Sequence, residues 1–238
     1  MLPARRHREL RRRCTLGGCL TYYLGNDAFV SHVVLLGDSI FDNAAYVAGD
    51  PDVVRQVRQR LPYGPEATLV AVDGSTTRDM REQLRRLPAD ATHLLVSVGG
   101  NDALNNSDFL TTPARSTTEA LLGLADIGDE FERGYLAMLA ETLAHGLPTA
   151  ICTVYYPRFP EAALQRVAVA GLTVFNDCIM RAAFVHGLPL LDLRLICTEE
   201  GDYANPIEPS AQGGGKIARA IVELAEHGFT GGRTEVFT

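Results

Sequence analysis

Three short polar segments, each following an apolar run, carry the residues best suited to chemistry. They are Gly37-Asp38-Ser39, Asp73-Gly74-Ser75 and Gly99-Gly100-Asn101-Asp102. A serine at a tight turn between a strand and a helix exposes its hydroxyl near the positive end of the helix dipole. The backbone N–H groups of Ser39 and Gly74, with the side-chain amide of Asn101, are suited to stabilise a developing oxyanion. This combination favours acyl transfer.

The remaining residues of these segments are expected to shape the loops. Gly74 and Gly99 would let the backbone approach closely where a side chain would clash. Asp38 and Asp42 flank the serine, and we favour a structural role for both, either orienting the loop or capping the next helix. No group of His, Cys, Asp or Glu has the spacing of metal ligands, so the sequence predicts no metal and no cofactor.

The apolar runs predict the elements that position these segments. Each run is short and continuously apolar, as in parallel strands covered on both faces, and helical patterns lie between the runs. Strand–helix alternation five times over predicts an α/β/α sandwich, in which ligands bind beyond the carboxyl ends of the strands. The predicted strands are 32–37, 67–72, 93–99, 148–156 and 188–193, and the predicted helices are 51–61, 77–87, one within 117–145, 161–187 and about 212–227.

Charge is unevenly distributed along the 238 residues, whose formal net charge is −7. Residues 1–13 hold six Arg and one Glu, which leaves −12 on the rest of the chain. An acidic body disfavours nucleic acid as a partner, and a short basic tail is typical of a solvated extension. We therefore expect residues 1–30 to be a basic, disordered extension and residues 31–238 to form one domain.

The start of the chain and its cysteines bear on location. No run approaches the roughly 18 apolar residues of a membrane-spanning helix, so stable membrane insertion is not expected. The cationic start lacks a clear small-x-small cleavage site. Five cysteines without a CxxC pair indicate free thiols rather than a disulfide framework. A cytoplasmic protein is the expectation, while the sequence leaves the oligomeric state open.

Four motifs together resemble a known family. VVLLGDSIFDN, VDGSTT, VSVGGNDAL and EPSAQGGGKIA are similar to motifs of the SGNH (GDSL-type) hydrolases, esterases and lipases on a flavodoxin-like sheet, over residues 32–225. The resemblance implies five parallel strands in the order 2-1-3-4-5. It implies cleavage of a small carboxylic ester by Ser39 as nucleophile, with Ser39, Gly74 and Asn101 forming the oxyanion hole. Asp102 would brace the loop that carries Asn101.

One motif of this chain departs from the family pattern. The last motif of the family is Asp-x-x-His-Pro, in which the Asp orients a His that takes the serine proton. Here the matching window places Asn205 at the acid position and Glu208 at the base position. The histidines offer no replacement. His32 and His93 begin strands at the opposite edge, His145, His186 and His227 end helices, and His7 lies in the basic extension.

Three interpretations of Glu208 therefore stay open. It could be an unusual base with Asn205 or Tyr203 as its hydrogen-bond partner, provided that burial raises its pKa. The site could instead be degenerate and bind an ester or acyl ligand without turnover. Glu208 could also be a solvated neighbour of the last helix, with Ser210 as the helix cap. A flavodoxin-like phosphate or nucleotide binder is weaker, because no glycine-rich phosphate loop follows the first strand.

Overall fold

The computed structural model describes residues 32–61, 64–227, 229 and 234–238. Its central sheet has six parallel strands in the order β2-β1-β3-β4-β5-β8, and a separate antiparallel pair is formed by β6 and β7. The predicted basic extension lies outside the described residues. The strands are β1 His32–Gly37, β2 Glu66–Leu69, β3 His93–Ser97, β4 Thr149–Cys152, β5 Leu190–Leu191, β6 Tyr203–Asn205, β7 Glu208–Pro209 and β8 Val236–Phe237.

Helices cover both faces of the sheet. α1 and α7 pack together on one face, while α2, α4 and α5 lie on the other. Short 3₁₀ turns occur at Ala44–Tyr46, Ser107–Thr111 and Glu200–Asp202. The helices are α1 Val53–Arg60, α2 Met80–Leu84, α3 Gly100–Leu104, α4 Thr117–Leu143, α5 Ala162–His186, α6 Leu193–Ile196 and α7 Ala211–His227.

The continuous apolar runs are explained by two cores, one on each side of the sheet. On β1, Val33 and Leu35 point into the first core, and Val34 and Leu36 point into the second. All four side chains are fully buried. A strand buried on both faces cannot show the polar–apolar alternation of a half-exposed strand. The predicted α/β/α sandwich is therefore confirmed.

The sheet differs from the expected one at its edge. The order 2-1-3-4-5 is confirmed, but β8 adds a sixth strand beside β5. The backbone N–H of Leu190 donates to Glu235 at 2.8 Å, and that of Asp192 donates to Phe237 at 2.9 Å. β8 is two residues long, too short for a periodic pattern to predict it. Its position depends on the exposed hydrogen-bonding edge of β5, which is a tertiary property.

Among the described helices, α5 is the one long and apolar enough to cross a membrane by length and composition. The helix was predicted from the sequence, but its suitability to cross a membrane was not, because polar residues interrupt its apolar run. Phe175, Cys178 and Ile179 on this helix are buried in the second core. Only 33% of this apolar stretch is buried, so packing in the core accounts for part of the apolar composition of α5.

Candidate active site

One cleft at the carboxyl edge of the sheet brings together Ser39, Asn101 and Glu208. It contains about 1100 Å³ of space, part of it open to solvent. Ser39 follows β1, Asn101 lies in α3 directly after β3, and Glu208 belongs to β7. Gly74 lies outside the lining of this cleft, in a shallower depression with Asp73 and Ser75. The parallel topology thus gathers residues that are far apart in the sequence.

A hydrogen-bonded turn presents the hydroxyl of Ser39. The backbone N–H of Asp38 donates to Ser97 on β3 at 3.0 Å, and the N–H of Asp42 donates back to the Asp38 carbonyl at 3.1 Å. The carboxyl of Asp38 accepts from the Ile40 N–H at 3.2 Å. The Asp42 carboxyl accepts from the Asp73 N–H at 3.0 Å. Both aspartates therefore orient loops, and neither caps a helix.

The expected helix directly after Ser39 is not present. A 3₁₀ turn of three residues follows at Ala44–Tyr46, and α1 begins at Val53 with Asp52 as its cap. Ser39 therefore does not lie in the first turn of a helix, where the effect of the helix dipole is concentrated. The backbone N–H groups of the turn around Ser39 are then the local source of positive electrostatic potential.

Three hydrogen-bond donors of the loops that follow β1, β2 and β3 keep a hydrogen available, although Gly74 lies in the neighbouring depression and not in the cleft lining. Within the described residues, the backbone N–H groups of Ser39 and Gly74 donate to no protein acceptor. The Asn101 side-chain nitrogen donates to the Ser75 carbonyl at 3.0 Å. An amide nitrogen carries two hydrogens, so Asn101 keeps a second one. The bond to Ser75 also ties Asn101 to the loop of Gly74.

Gly74 and Gly99 were both expected to permit close approach of the backbone, but the structure favours glycine at the two positions for different reasons. Gly99 has φ of 129°, and a Cβ built there would lie 3.2 Å from the Phe131 ring. Close packing and backbone conformation both favour glycine at this position. Gly74 has φ of 80°, but a Cβ there would meet nothing within 4 Å. The expected clash at Gly74 is wrong; the left-handed backbone alone favours glycine.

Asp102 binds the loop that follows Gly74. Its carboxylate accepts from the Thr77 backbone N–H at 3.1 Å and from the Thr77 hydroxyl at 2.7 Å. Burial raises the pKa of Asp102, and the two bonds from Thr77 oppose that increase. This geometry is that of a brace between the Gly74 loop and α3, as the resemblance implied.

Gln83 is a further positioning residue that the sequence interpretation missed. Its side-chain amide accepts from the Gly37 N–H at 2.8 Å and donates to the Gly37 carbonyl at 2.7 Å. The same amide lies 3.1 Å from the Ser75 hydroxyl. Gln83 is buried on α2, on the side that carries Met80 and Leu84. A polar residue within an apolar helical stripe was the signal available in the sequence.

Glu208 is buried rather than solvated, with 7% of its surface exposed. Ser39 and Glu208 line the same cleft, although no hydrogen bond joins their side chains in this structure. Burial raises the pKa of Glu208, and the nearby Ser39 hydroxyl opposes this increase. Oε2 of the carboxyl is buried and has no hydrogen-bond partner among the described residues. In sites without a bound ligand, catalytic hydrogen bonds are often loose and tighten with substrate. The solvated interpretation of Glu208 is therefore wrong, while Ser210 does accept from the Gly213 N–H at 3.2 Å as the expected cap.

Asn205 holds the backbone of the last loop and not the carboxyl group of Glu208. Its side-chain oxygen accepts from the N–H groups of Ile207 and Glu208, both at 3.0 Å. The Tyr203 hydroxyl lies 2.8 Å from the Tyr156 carbonyl. Neither Asn205 nor Tyr203 hydrogen-bonds the Glu208 carboxyl within the described part of the chain. The expected side-chain partnership is absent because Asn205 is used in the turn.

Two side chains fix the Glu208 loop against the rest of the site. Asn43 is fully buried, accepts from the Val53 N–H at 2.9 Å and donates to the Pro209 carbonyl at 3.2 Å. The Tyr155 hydroxyl donates to the Ile207 carbonyl at 2.6 Å. Because Asn43 follows the Ser39 turn in the chain, it joins the serine segment directly to the glutamate segment.

The electrostatics of the cleft are dominated by carboxyl groups. Burial raises the pKa of Glu208, and the charge of Asp73 adds to this increase. Burial raises the pKa of Asp38 to about 8, with smaller increases from the charges of Glu208 and Asp102. No Lys, Arg or His is among the described residues that line the cleft. Asp38 is consequently neutral at pH 7, and a raised pKa makes Glu208 a stronger base than an exposed glutamate.

The described histidines lie away from Ser39, as expected. His32 and His93 begin β1 and β3, at the opposite edge of the sheet. His32 forms a group with Glu66 and Asp90, in which the possible metal-ligand atoms lie within 4.8 Å of one another. It is the one such group of His, Cys, Asp or Glu among the described residues. The sequence spacing gave no sign of this group. Its position at the far edge separates it from the Ser39 cleft.

Comparison with known proteins identifies the family and agrees with this fold. Residues 35–214 match the GDSL-like lipase/acylhydrolase family, and the chain belongs to that family. A search of curated proteins by sequence gave no significant match.

Solved structures show the same fold at low sequence identity. An extracellular lipase from Streptomyces rimosus is 18% identical, with a TM-score of 0.59 over 82% of this chain and 99% of that one. The lipase Lip_vut3 from a goat rumen metagenome is 16% identical, with a TM-score of 0.61 over 83% and 98%. An acetyl xylan esterase variant from Geobacillus stearothermophilus is 20% identical, with a TM-score of 0.55 over 84% and 95%.

Proposed function

We propose that this member of the family hydrolyses a carboxylic ester through an acyl-enzyme on Ser39, with Glu208 as the general base. The observation that carries the proposal is the burial of Glu208 in the cleft that also contains Ser39. The sequence resemblance places Glu208 where the family motif has histidine. The structural relatives described as a lipase and an acetyl xylan esterase support ester chemistry.

In the proposed first step, Ser39 Oγ attacks the ester carbonyl carbon and Glu208 accepts the hydroxyl proton. Negative charge forms on the former carbonyl oxygen, where the N–H groups of Ser39 and Gly74 and the Asn101 amide stabilise it. Collapse of this intermediate breaks the ester bond, and the alcohol leaves with the proton from Glu208. Water then attacks the acyl-enzyme with Glu208 as base again, which releases the acid and restores Ser39.

The environment of Glu208 explains how a carboxylate can replace histidine here. An ordinary glutamate has a pKa of about 4.3 and is a weak base. Burial raises the pKa of Glu208, and the charge of Asp73 adds to this increase. Ser39 thus faces a base whose proton affinity is increased without a cation in the cleft.

The test is hydrolysis of p-nitrophenyl butyrate by the wild type and two variants. Ser39→Ala removes the nucleophile and is expected to abolish turnover. Glu208→Gln keeps the shape of the side chain but removes the base, and a loss of about 10²–10⁴ in kcat is expected. Glu200→Gln is the matched control, because Glu200 is an exposed carboxylate close to the same loop. Wild-type rates in Ser39→Ala or Glu208→Gln would contradict the assignment.

A ligand-binding protein that retains the cleft without turnover is the second candidate. The observation in its favour is that the described lining of the cleft contains no histidine. A fluorophosphonate probe separates the two candidates, because it labels only an activated serine. Labelling of Ser39 in the wild type supports the hydrolase, and absence of both labelling and turnover supports the binding protein.

A further inference from the structure

One wall of the cleft is an apolar stripe along α5. The stripe contains Leu164, Ala168, Gly171, Leu172 and Phe175, which recur at the spacing of a single helical face. Its ends, Leu164 and Phe175, are eleven positions apart, which at the α-helical rise of about 1.5 Å per residue corresponds to about 16 Å. The hydrocarbon layer of one membrane leaflet, half of a bilayer core, is about 15 Å thick. The wall is therefore as long as an extended lipid chain.

The part of the lining supplied by α4, which packs against α5, is also apolar and includes Leu124 and Ile127. Among the described lining residues, Asp38 and Glu208 are the only ones of the types Asp, Glu, Lys, Arg or His. Both belong to the end of the cleft that holds Ser39. A ligand that fits this arrangement has one polar reacting group followed by a long hydrocarbon segment.

Gly171 gives this wall an open position. A Cβ built at Gly171 would meet nothing within 4 Å, although the residue lies in the interior of α5. Glycine in the middle of a helix is destabilising relative to alanine, so helix formation does not account for its presence. Its missing side chain leaves room in the cleft instead.

We propose that the substrate is an ester with a long hydrocarbon acyl chain, which lies along α5, and that the space at Gly171 sets the length accepted. The proposal rests on the ester hydrolase proposed above. Each methylene buried in an apolar site contributes up to about fourfold in kcat/KM. Short acyl groups would leave most of the wall uncovered.

The experiment compares kcat/KM for p-nitrophenyl decanoate and p-nitrophenyl butyrate, both below their aggregation concentrations. In the wild type, the decanoate is expected to be favoured more than about tenfold. Gly171→Leu places a side chain in the cleft and is expected to lower this decanoate-to-butyrate ratio at least tenfold. Ala170→Leu is the matched control, since Ala170 is exposed on the same helix and outside the cleft lining, and its ratio should equal that of the wild type.

A binding measurement separates this proposal from the catalytic one. In the Ser39→Ala background, calorimetry is expected to show tighter binding of methyl decanoate than of methyl butyrate, and Gly171→Leu should remove the difference. This result would support the chain site even if Ser39→Ala hydrolysed esters normally and the catalytic proposal failed. Equal binding of the two esters, or a decanoate-to-butyrate ratio unaffected by Gly171→Leu, would overturn the proposal.

Discussion

The carboxyl group of Asp38 is strongly perturbed by its burial in the cleft. It is 3% exposed, and burial raises its pKa to about 8. Its neighbour Glu208 has to be ionised to serve as a base, whereas Asp38 is neutral at pH 7. The proposed mechanism therefore requires the two carboxyl groups of one cleft to differ in protonation state, which different surroundings can produce.

This difference predicts a bell-shaped pH dependence of kcat/KM. Activity is expected to rise with pH as Glu208 loses its proton, at a pKa above that of an ordinary glutamate. Above a pH of about 8, Asp38 ionises, and its charge opposes the oxyanion that forms near Ser39. Asp38→Asn imitates the neutral acid, so this variant should lose the alkaline decrease.

The measurement is kcat/KM for a short ester from about pH 5 to about pH 10, corrected for spontaneous hydrolysis. Asp90→Asn serves as control, because Asp90 lies before β3 at the far edge of the sheet. An alkaline decrease that persists in Asp38→Asn would show that another group causes it.

Among the helices, strands and loops, buried amides join the segments that form the site. Gln83 on α2 connects the end of β1 to the Ser75 loop, and Asn43 connects the serine segment to β7. Without these two amides, the Ser75 loop and the serine segment would lose buried hydrogen bonds that fix their positions. A catalytic group has to be held within a fraction of an ångström, so these amides are expected to act on the rate through other residues.

Gln83→Leu tests this role. The substitution keeps the volume but leaves the buried N–H of Gly37 without a partner, while the Gly37 carbonyl still accepts from the Val72 N–H. The unpaired N–H is expected to cost about 1–3 kcal/mol of unfolding free energy. The rate of fluorophosphonate labelling at Ser39 should also fall at temperatures where the variant is fully folded. Arg85→Leu on the exposed side of α2 should change neither quantity greatly. A Gln83→Leu protein that is less stable but labels at the wild-type rate would contradict the positioning role.

For the molecule as a whole, the buried acids link stability to pH. The folded protein retains a proton on Asp38 up to a pH of about 8, while the unfolded chain loses it near the ordinary value of 3.8. Between these two values the folded state binds more protons than the unfolded state. Its stability contribution from Asp38 is therefore complete at low pH and is lost as pH rises toward 8.

Unfolding in urea at about pH 5 and about pH 8 measures this linkage. The unfolding free energy of the wild type is expected to fall relative to Asp38→Asn as the pH rises, by up to about 1.4 kcal/mol per pH unit from this group. Because the asparagine side chain of the variant cannot ionise, the difference between the two proteins isolates the contribution of Asp38. Parallel pH profiles for the two proteins would contradict the burial argument.

The layered fold and the neighbourhood of the site could be predicted from the amino-acid sequence. Continuous apolar runs require strands buried on both faces, and polar residues after β1 and β3 then meet at one edge because parallel strands end on the same side. The proximity of Ser39 and Asn101 follows from that rule. The family motifs also pointed to Glu208 as the residue in place of histidine.

The environment of these groups, in contrast, depends on the folded chain. Burial of Glu208, the neutral state of Asp38, the use of Asn205 in a turn and the bonds of Gln83 all depend on contacts between distant segments. The same holds for β8, whose two residues pair with an edge that exists only after the sheet has formed. Local patterns report which face of an element is apolar, whereas desolvation and hydrogen bonding depend on what packs against it.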